Sequence, residues 1–313
     1  MRILVTGGAG FIGSHVAEQA KEAGHEVAVL DNLSTGKRAN VPAGVELLEV
    51  DLRDREATRN AVLKFKPQAV SHQAAQASVS VSVREPKLDA DVNISGGLNL
   101  LDACAEAGVE RVVFASTGGA IYGEVPEGSR ATEQTQPSPI SPYAISKLTL
   151  EHYLGFYEAY RKIQRVILRY ANVYGPRQDA HGEAGVIAIF LERALHGEAL
   201  QVNAMREEGD AGCVRDYTYV TDVARANVLG LLGKLEANVM NIGTGVPTTT
   251  LELARVAFQA AGRTCKVVHA SKRAGDIERS LLDPTLCQRA LGELVGLGVG
   301  LTATAEWYRS QAG

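Results

Sequence analysis

Cysteine is scarce: Cys104, Cys213, Cys265 and Cys287 are scattered over 313 residues with no CxxC pair. That scatter argues against a disulfide framework or a thiolate zinc site and for a reduced, cytosolic chain. The seven histidines form no HExxH or similar cluster, so no metal site is expected. Basic excess is missing as well. Lys and Arg number 32 against 36 Asp and Glu, a net charge of -4, whereas a nucleic-acid-binding domain is usually clearly basic. No apolar run approaches the roughly 20 residues that span a bilayer. Met1-Arg2 leads straight into Ile-Leu-Val-Thr-Gly, without the h-region and cleavage site of a signal peptide. Internal repeats and low-complexity segments are also lacking. The expectation is a soluble, cytoplasmic protein with neither nucleic acid nor membrane as partner.

What is present is a long alternation of short β-branched runs and amphipathic stretches. Candidate strands are 2–6, 26–30, 45–50, 69–73, 111–115 and 165–170, with helical patterns near 14–23, 55–65, 89–107 and 142–162. Strands alternating with helices of this length predict an α/β fold with a parallel, doubly wound sheet. Gly24 and Gly108 stand where left-handed helix caps belong. After Tyr170 the pattern loosens. Residues 172–185 read as a polar loop, 187–195 as a helix and 203–212 as an exposed loop. Residues 215–220 and 238–242 read as strands, with helices near 221–232 and 249–261. The length favours two lobes sharing a cleft. The expected division is a dinucleotide-binding domain over 1–170 and a smaller C-terminal α/β substrate-binding lobe over 171–313, later segments returning to the first lobe.

Two motifs carry the chemistry. Gly7, Gly10 and Gly13 form GxxGxxG at the first strand-to-helix turn. Glycines there let the backbone approach phosphates, and the helix N-terminus attracts their charge. Asp31 ends the second strand 18 residues after Gly13, close to the spacing of about 20 for an acid on a ribose 2′-hydroxyl. A carboxylate there accepts from a ribose diol and repels a 2′-phosphate, which favours NAD over NADP. Asp51, at the end of the third strand, either reaches the adenine or is a turn acid.

The second motif is Tyr143-Ala-Ile-Ser-Lys147, preceded by Ser141-Pro142, which has the chemistry of a helix start. Tyr143 and Lys147, at i,i+4, share one helix face. An unperturbed tyrosine has a pKa near 10, so ionising it at pH 7 costs about 4 kcal/mol. A neighbouring ammonium lowers that cost, and the phenolate can then take a proton from a substrate hydroxyl. A third partner is expected from the loop after the fifth strand, where either Ser116 or Thr117 can bond the reacting oxygen.

At these residues the chain resembles the extended short-chain dehydrogenase/reductase family, and within it the UDP-glucose (UDP-galactose) 4-epimerases. The matching stretches are Asp31-Asn-Leu-Ser-Thr-Gly36, His72-Gln-Ala-Ala-Gln76, Ser141 to Lys147, Leu168-Arg-Tyr-Ala-Asn-Val-Tyr-Gly-Pro176 and Arg215-Asp-Tyr. The resemblance implies a Rossmann-type sheet and NAD contacts at Gly7, Gly10, Phe11, Ile12, Gly13, Asp31, Asn32, Asp51, Leu52, Ala74, Ala75, Gln76, Asn93, Tyr143, Lys147 and Tyr170. It implies that Asn172, Arg215, Arg273 and Asp276 hold the nucleotide diphosphate of a UDP-sugar, and that Ser280 helps set the size of the sugar pocket. The Asp-Glu pair of sugar-nucleotide 4,6-dehydratases is absent, Gly118-Gly119 standing in its loop.

The expected activity is NAD-dependent 4-epimerisation of UDP-glucose and UDP-galactose through a transient 4-keto sugar. The alternatives are epimerisation of UDP-N-acetylhexosamine or UDP-glucuronate, net reduction of a keto sugar, and a non-catalytic nucleotide-binding regulator. The 142–162 helix carries apolar residues on more than one side, namely Ile145, Leu148, Tyr153, Phe156, Tyr157 and Tyr160. This suits a homodimer interface, as the family implies, or an intramolecular neighbour.

Overall fold

The computed structural model describes residues 1–180, 185–273 and 276–311. The chain opens with β1 (Arg2–Thr6), α1 (Phe11–Glu22), β2 (Glu26–Asp31), β3 (Glu46–Glu49), α2 (Arg55–Phe65) and β4 (Ala69–His72). Short helices α3 (Val79–Arg84) and α4 (Pro86–Ala90) lead through a π-helical turn, Asp91–Ser95, into α5 (Gly96–Ala107). Then come β5 (Arg111–Thr117), α6 (Gly118–Ile121), α7 (Pro142–Arg161) and β6 (Gln164–Tyr170). The C-terminal part runs β7 (Asn172–Tyr174), α8 (Val186–His196), β8 (Leu200–Asn203), β9 (Val214–Arg215), β10 (Tyr217–Tyr219), α9 (Val220–Leu231) and β11 (Val239–Ile242). It finishes with β12 (Thr248–Thr249), α10 (Thr250–Ala261), β13 (Val267–Ala270), β14 (Arg279–Ser280), α11 (Thr285–Leu291) and α12 (Leu297–Gln311).

Seven parallel strands form the main sheet in the order β3-β2-β1-β4-β5-β6-β11. The strand order reverses between β1 and β4, and ligands of such sheets bind in the crevice at that point. The strands are apolar on both faces because helices cover both. Ile3, Val5, Val113 and Leu168 pack with Val16, Ala17, Val223 and Ala224 of α1 and α9. Leu4, Val70, Val112 and Phe114 pack with Val62, Leu100, Leu150 and Leu154 of α2, α5 and α7. A separate core joins α8, α10 and α12 through Phe190, Leu191, Leu253, Phe258 and Leu301.

Several sequence expectations change. Residues 172–174 of the expected loop over 172–185 are strand β7, and 181–184 of it lie outside the described residues. The single helix over 89–107 is α4, a π turn and α5; the π turn carries Asn93, whose side chain bonds both the N–H and the carbonyl of Gln76. The single strand over 215–220 is two strands with different partners, β9 beside β12 and β14, and β10 beside β7. The break falls at buried Asp216, whose carboxylate accepts from the Thr244 N–H and hydroxyl and the Gly245 N–H. Residues 203–212 are loop only after Asn203, which ends β8. Among the described residues, no helix is long and apolar enough to cross a membrane, and no cluster of His, Cys, Asp and Glu is grouped to hold a metal ion.

Candidate active site

The turn after β1 is shaped by its own backbone. Gly7 has φ +67°, and a Cβ there would stand 2.6 Å from the Ala74 nitrogen, so only glycine fits against the segment after β4. A Cβ on Gly13 would run into the Gly7 carbonyl oxygen. Gly10 caps α1 with extended backbone and no side-chain cap. The first-turn N–H groups, those of Phe11 and Ile12 among them, therefore have no intrahelical acceptor, an arrangement suited to a phosphate at the positive helix end.

Asp31 is only 7% exposed; its carboxylate accepts from the Ala9 N–H at 3.0 Å and the Leu33 N–H at 2.8 Å. It is a fixed acceptor at the end of β2. Asp51 lies two residues beyond β3, gripped by the Arg53 guanidinium and bonded by Asn32. The Arg53 hydrogen bonds hold its carboxyl well below the usual range. The turn thus has a fixed acid at one end and helix-terminal backbone donors at the other, an arrangement that suits a dinucleotide.

The far wall of the crevice follows β4. Ala74 N–H donates to Thr6 Oγ1 at 3.3 Å, and Ala75 and Gln76 continue the segment. Asp89, fully buried, collects Gln76 Nε2 (2.8 Å), Asn93 Nδ2 (3.0 Å) and Ser146 Oγ (2.6 Å). This one carboxylate therefore ties the β4 edge, the π turn and α7 together. Leu52 is buried against Gly96. Tyr170 hydroxyl donates to Gln73 Oε1 and accepts from Asn227 Nδ2, and burial pushes its pKa up to about 12, so it stays a phenol.

Ser141 Oγ caps α7 by accepting from the Ala144 N–H, with Pro142 in the first turn. Lys147 is buried, and its ammonium donates to the Ala115 carbonyl at 2.9 Å. The same nitrogen lies 4.9 Å from the centre of the Phe114 ring and 5.8 Å from that of half-buried Tyr143. A fixed positive charge thus stands beside a phenol that is only partly covered by its own chain. Behind it His72 packs on Phe114 and bonds Thr6; burial, aided by the Lys147 charge, lowers its pKa to about 3 and keeps it neutral.

Ser116 and Thr117 are not in a loop: β5 runs through both, because its pairing with β6 extends to Thr117 opposite Tyr170. Successive strand residues point to opposite faces. Ser116 Oγ donates to Glu151 Oε1 at 2.5 Å, on the side of α7.

Beyond the C-terminal sheet edge, Arg215, Arg273 and Asp276 line one cleft of about 350 Å³. Asn172 and Ser280 do not line it; they flank Gly119 instead. Ser280 Oγ donates to the Gly119 carbonyl at 3.2 Å, and the Asn172 amide stands 3.7 Å from where a Gly119 Cβ would be. Ser280 on β14 lies directly beside Arg215 on β9. The cleft also contains Phe190, Arg193, Gln201, Asn203, Cys213 and Tyr217, which sequence reasoning missed. An apolar ring with amides beside it suits a flat heterocycle, and guanidinium groups suit phosphate oxygens.

A model of the NAD dependent epimerase/dehydratase family matches residues 3–243. The crystal structure of a UDP-glucose 4-epimerase from Thermus thermophilus in complex with NAD is 56% identical, with a TM-score of 0.94 and 99% of each chain covered. That of UDP-glucose 4-epimerase from Thermotoga maritima with UDP-glucose is 45% identical, with a TM-score of 0.93 and both chains fully covered. A Mycolicibacterium smegmatis protein named UDP-glucose 4-epimerase is 39% identical over 319 aligned positions and the full length of both chains.

Proposed function

We propose that this chain, which belongs to the NAD dependent epimerase/dehydratase family, interconverts UDP-glucose and UDP-galactose by inverting the sugar at C4. The observation that carries the reading is the half-buried Tyr143 phenol beside the buried Lys147 ammonium, which the Ala115 carbonyl of β5 holds in place. The names and ligands of the similar structures support the same substrate.

In this reading residues 1–170 form the NAD-binding domain, joined by α9 and β11, and the rest forms the sugar-nucleotide lobe. Gly7, Gly10, Phe11, Ile12 and Gly13 hold the pyrophosphate. Asp31 and Asn32 hold the adenosine ribose, Asp51 and Leu52 border the adenine, and Ala74, Ala75, Gln76, Asn93 and Tyr170 line the crevice wall. Bound NAD supplies a hydride acceptor that later returns the hydride. The chain's own residues do the rest. Tyr143 Oη takes the proton of the 4-hydroxyl and gives it back after the sugar has turned over. Lys147 stabilises that oxygen as a phenolate before the first transfer and again after the second; between the two it is a neutral phenol. Thr117 is the third catalytic residue, since the Ser116 hydroxyl is bonded to Glu151. Arg215, Arg273 and Asp276 grip the diphosphate and its ribose, while Asn172 and Ser280 border a sugar space loose enough for the hexose to rotate. Phe190, Gln201 and Asn203 receive the uracil.

The same reading gives a role in galactose metabolism and a homodimer. On α7, Ile145, Tyr153, Phe156 and Tyr160 are 50%, 40%, 47% and 74% exposed along one stripe, a face suited to a second copy of the chain. Leu148 and Tyr157 point inward instead.

The test is incubation of the purified protein with a panel of UDP-hexoses, products being resolved chromatographically. Interconversion of UDP-glucose and UDP-galactose without consumption of added NADH is expected. Stoichiometric NADH consumption, or turnover confined to other UDP-sugars, overturns the reading.

A further inference from the structure

Helix α7 presents Tyr143, Lys147 and Glu151 at four-residue intervals, on three successive turns of one face. Glu151 is 5% exposed and Arg169, on β6, is 6% exposed. Arg169 Nε donates to Glu151 Oε1 at 3.0 Å and Nη2 to Oε2 at 2.6 Å. Nη1 donates to the Tyr122 hydroxyl at 2.9 Å, which donates onward to Asn241 Oδ1. Glu151 Oε1 also accepts from Ser116. Two consecutive residues at the end of β5 thus hold two consecutive turns of α7: the Ala115 carbonyl holds Lys147, and the Ser116 hydroxyl holds Glu151.

We propose that Glu151 and Arg169 are a positioning pair for proton transfer, their two-pronged ion pair fixing the height and rotation of α7 and so the place of the Tyr143 oxygen. The inference rests on the proposed role of Tyr143 and adds what aims it. A buried ion pair is weak evidence for stability, since apolar residues of similar volume often replace one at no loss. What the pair adds is geometry, because a planar fork on a carboxylate fixes both distance and plane. Tyr143 sits one turn beyond the last of these anchors, at the far end of a lever. A slide of α7 by one residue moves its side chains about 1.5 Å and turns them by about 100°, and misplacement by about 1 Å can cost a factor of about 100 in rate.

The test uses the coenzyme-loaded enzyme and the double variant Glu151→Leu/Arg169→Met, which keeps the interior neutral. Expected are a melting temperature within a few degrees of wild type, unchanged coenzyme content and KM, and kcat lowered at least about ten-fold. Amide exchange over 142–149 should speed up by a similar factor. Wild-type kcat and wild-type exchange in the folded double variant overturn the proposal. Should that variant fail to fold, Arg169→Lys keeps the charge without the fork. It should lower kcat and loosen 142–149 at unchanged KM; wild-type values for both refute the pair's role. Turnover by the wild type tests the epimerase reading separately, and the exchange measurement decides the positioning question whatever the substrate.

Discussion

A phenol with a pKa near 10 is a poor base at neutral pH unless a cation stands beside it. Here that cation is a buried ammonium 5.8 Å from the centre of the Tyr143 ring. Tyr143→Phe removes the oxygen and leaves the ring, so turnover should fall by about 10²–10⁴ while bound coenzyme, read by absorbance after denaturation, stays at the wild-type level. His72 gives a prediction in pH. It is neutral in the fold, with a pKa of about 3, against about 6.5 in the unfolded chain. The unfolded state therefore binds the extra proton, and the stability this group contributes is complete above pH 6.5 and is lost as pH falls toward 3. Urea midpoints should decline between about pH 7 and 4, and His72→Gln should flatten that slope. The pair Tyr143–Lys147 was legible because four-residue spacing puts two side chains on one helix face. That Ser116 and Thr117 lie within β5 was not, since it depends on how far β5 pairs with β6.

Among the elements, α7 does the most positional work. Its inner face meets the sheet and α5, where Gly97 makes room: a Cβ there would stand 2.7 Å from Leu150 Cδ2. Leu150 is 1% exposed, so Leu150→Ala should leave a cavity and cost about 2–5 kcal/mol, measured by urea unfolding. The strands of the main sheet were readable because burial on both faces writes them as continuous β-branched runs. Around the second cleft the helices α8 and α10 were readable too, but the short strands were not. β8, β13 and β14 have four, four and two residues, too short to carry a period. The break at Asp216 is set by Thr244 and Gly245, nearly thirty positions away. Resemblance supplied Arg273 and Asp276; the physics of the local sequence offered only charged residues that pass for surface pairs.

For the molecule as a whole, the proposed dimer rests on the outer stripe of α7. If two copies meet there, Phe156→Glu should halve the sedimenting mass without unfolding the protein, because that side chain is 47% exposed within one chain. The sheet has a different implication. Six of its strands are complete by Tyr170, but the seventh, Val239–Ile242, and the helix that covers one face, Val220–Leu231, come after the excursion that carries much of the second cleft. A nascent chain on the ribosome cannot close its coenzyme layer until residue 242 has emerged. A gene cut at codon 170 would yield two fragments, the first with an open edge on β6 and a bare apolar face beneath it. Such fragments would need each other, or a chaperone, to stay out of aggregates.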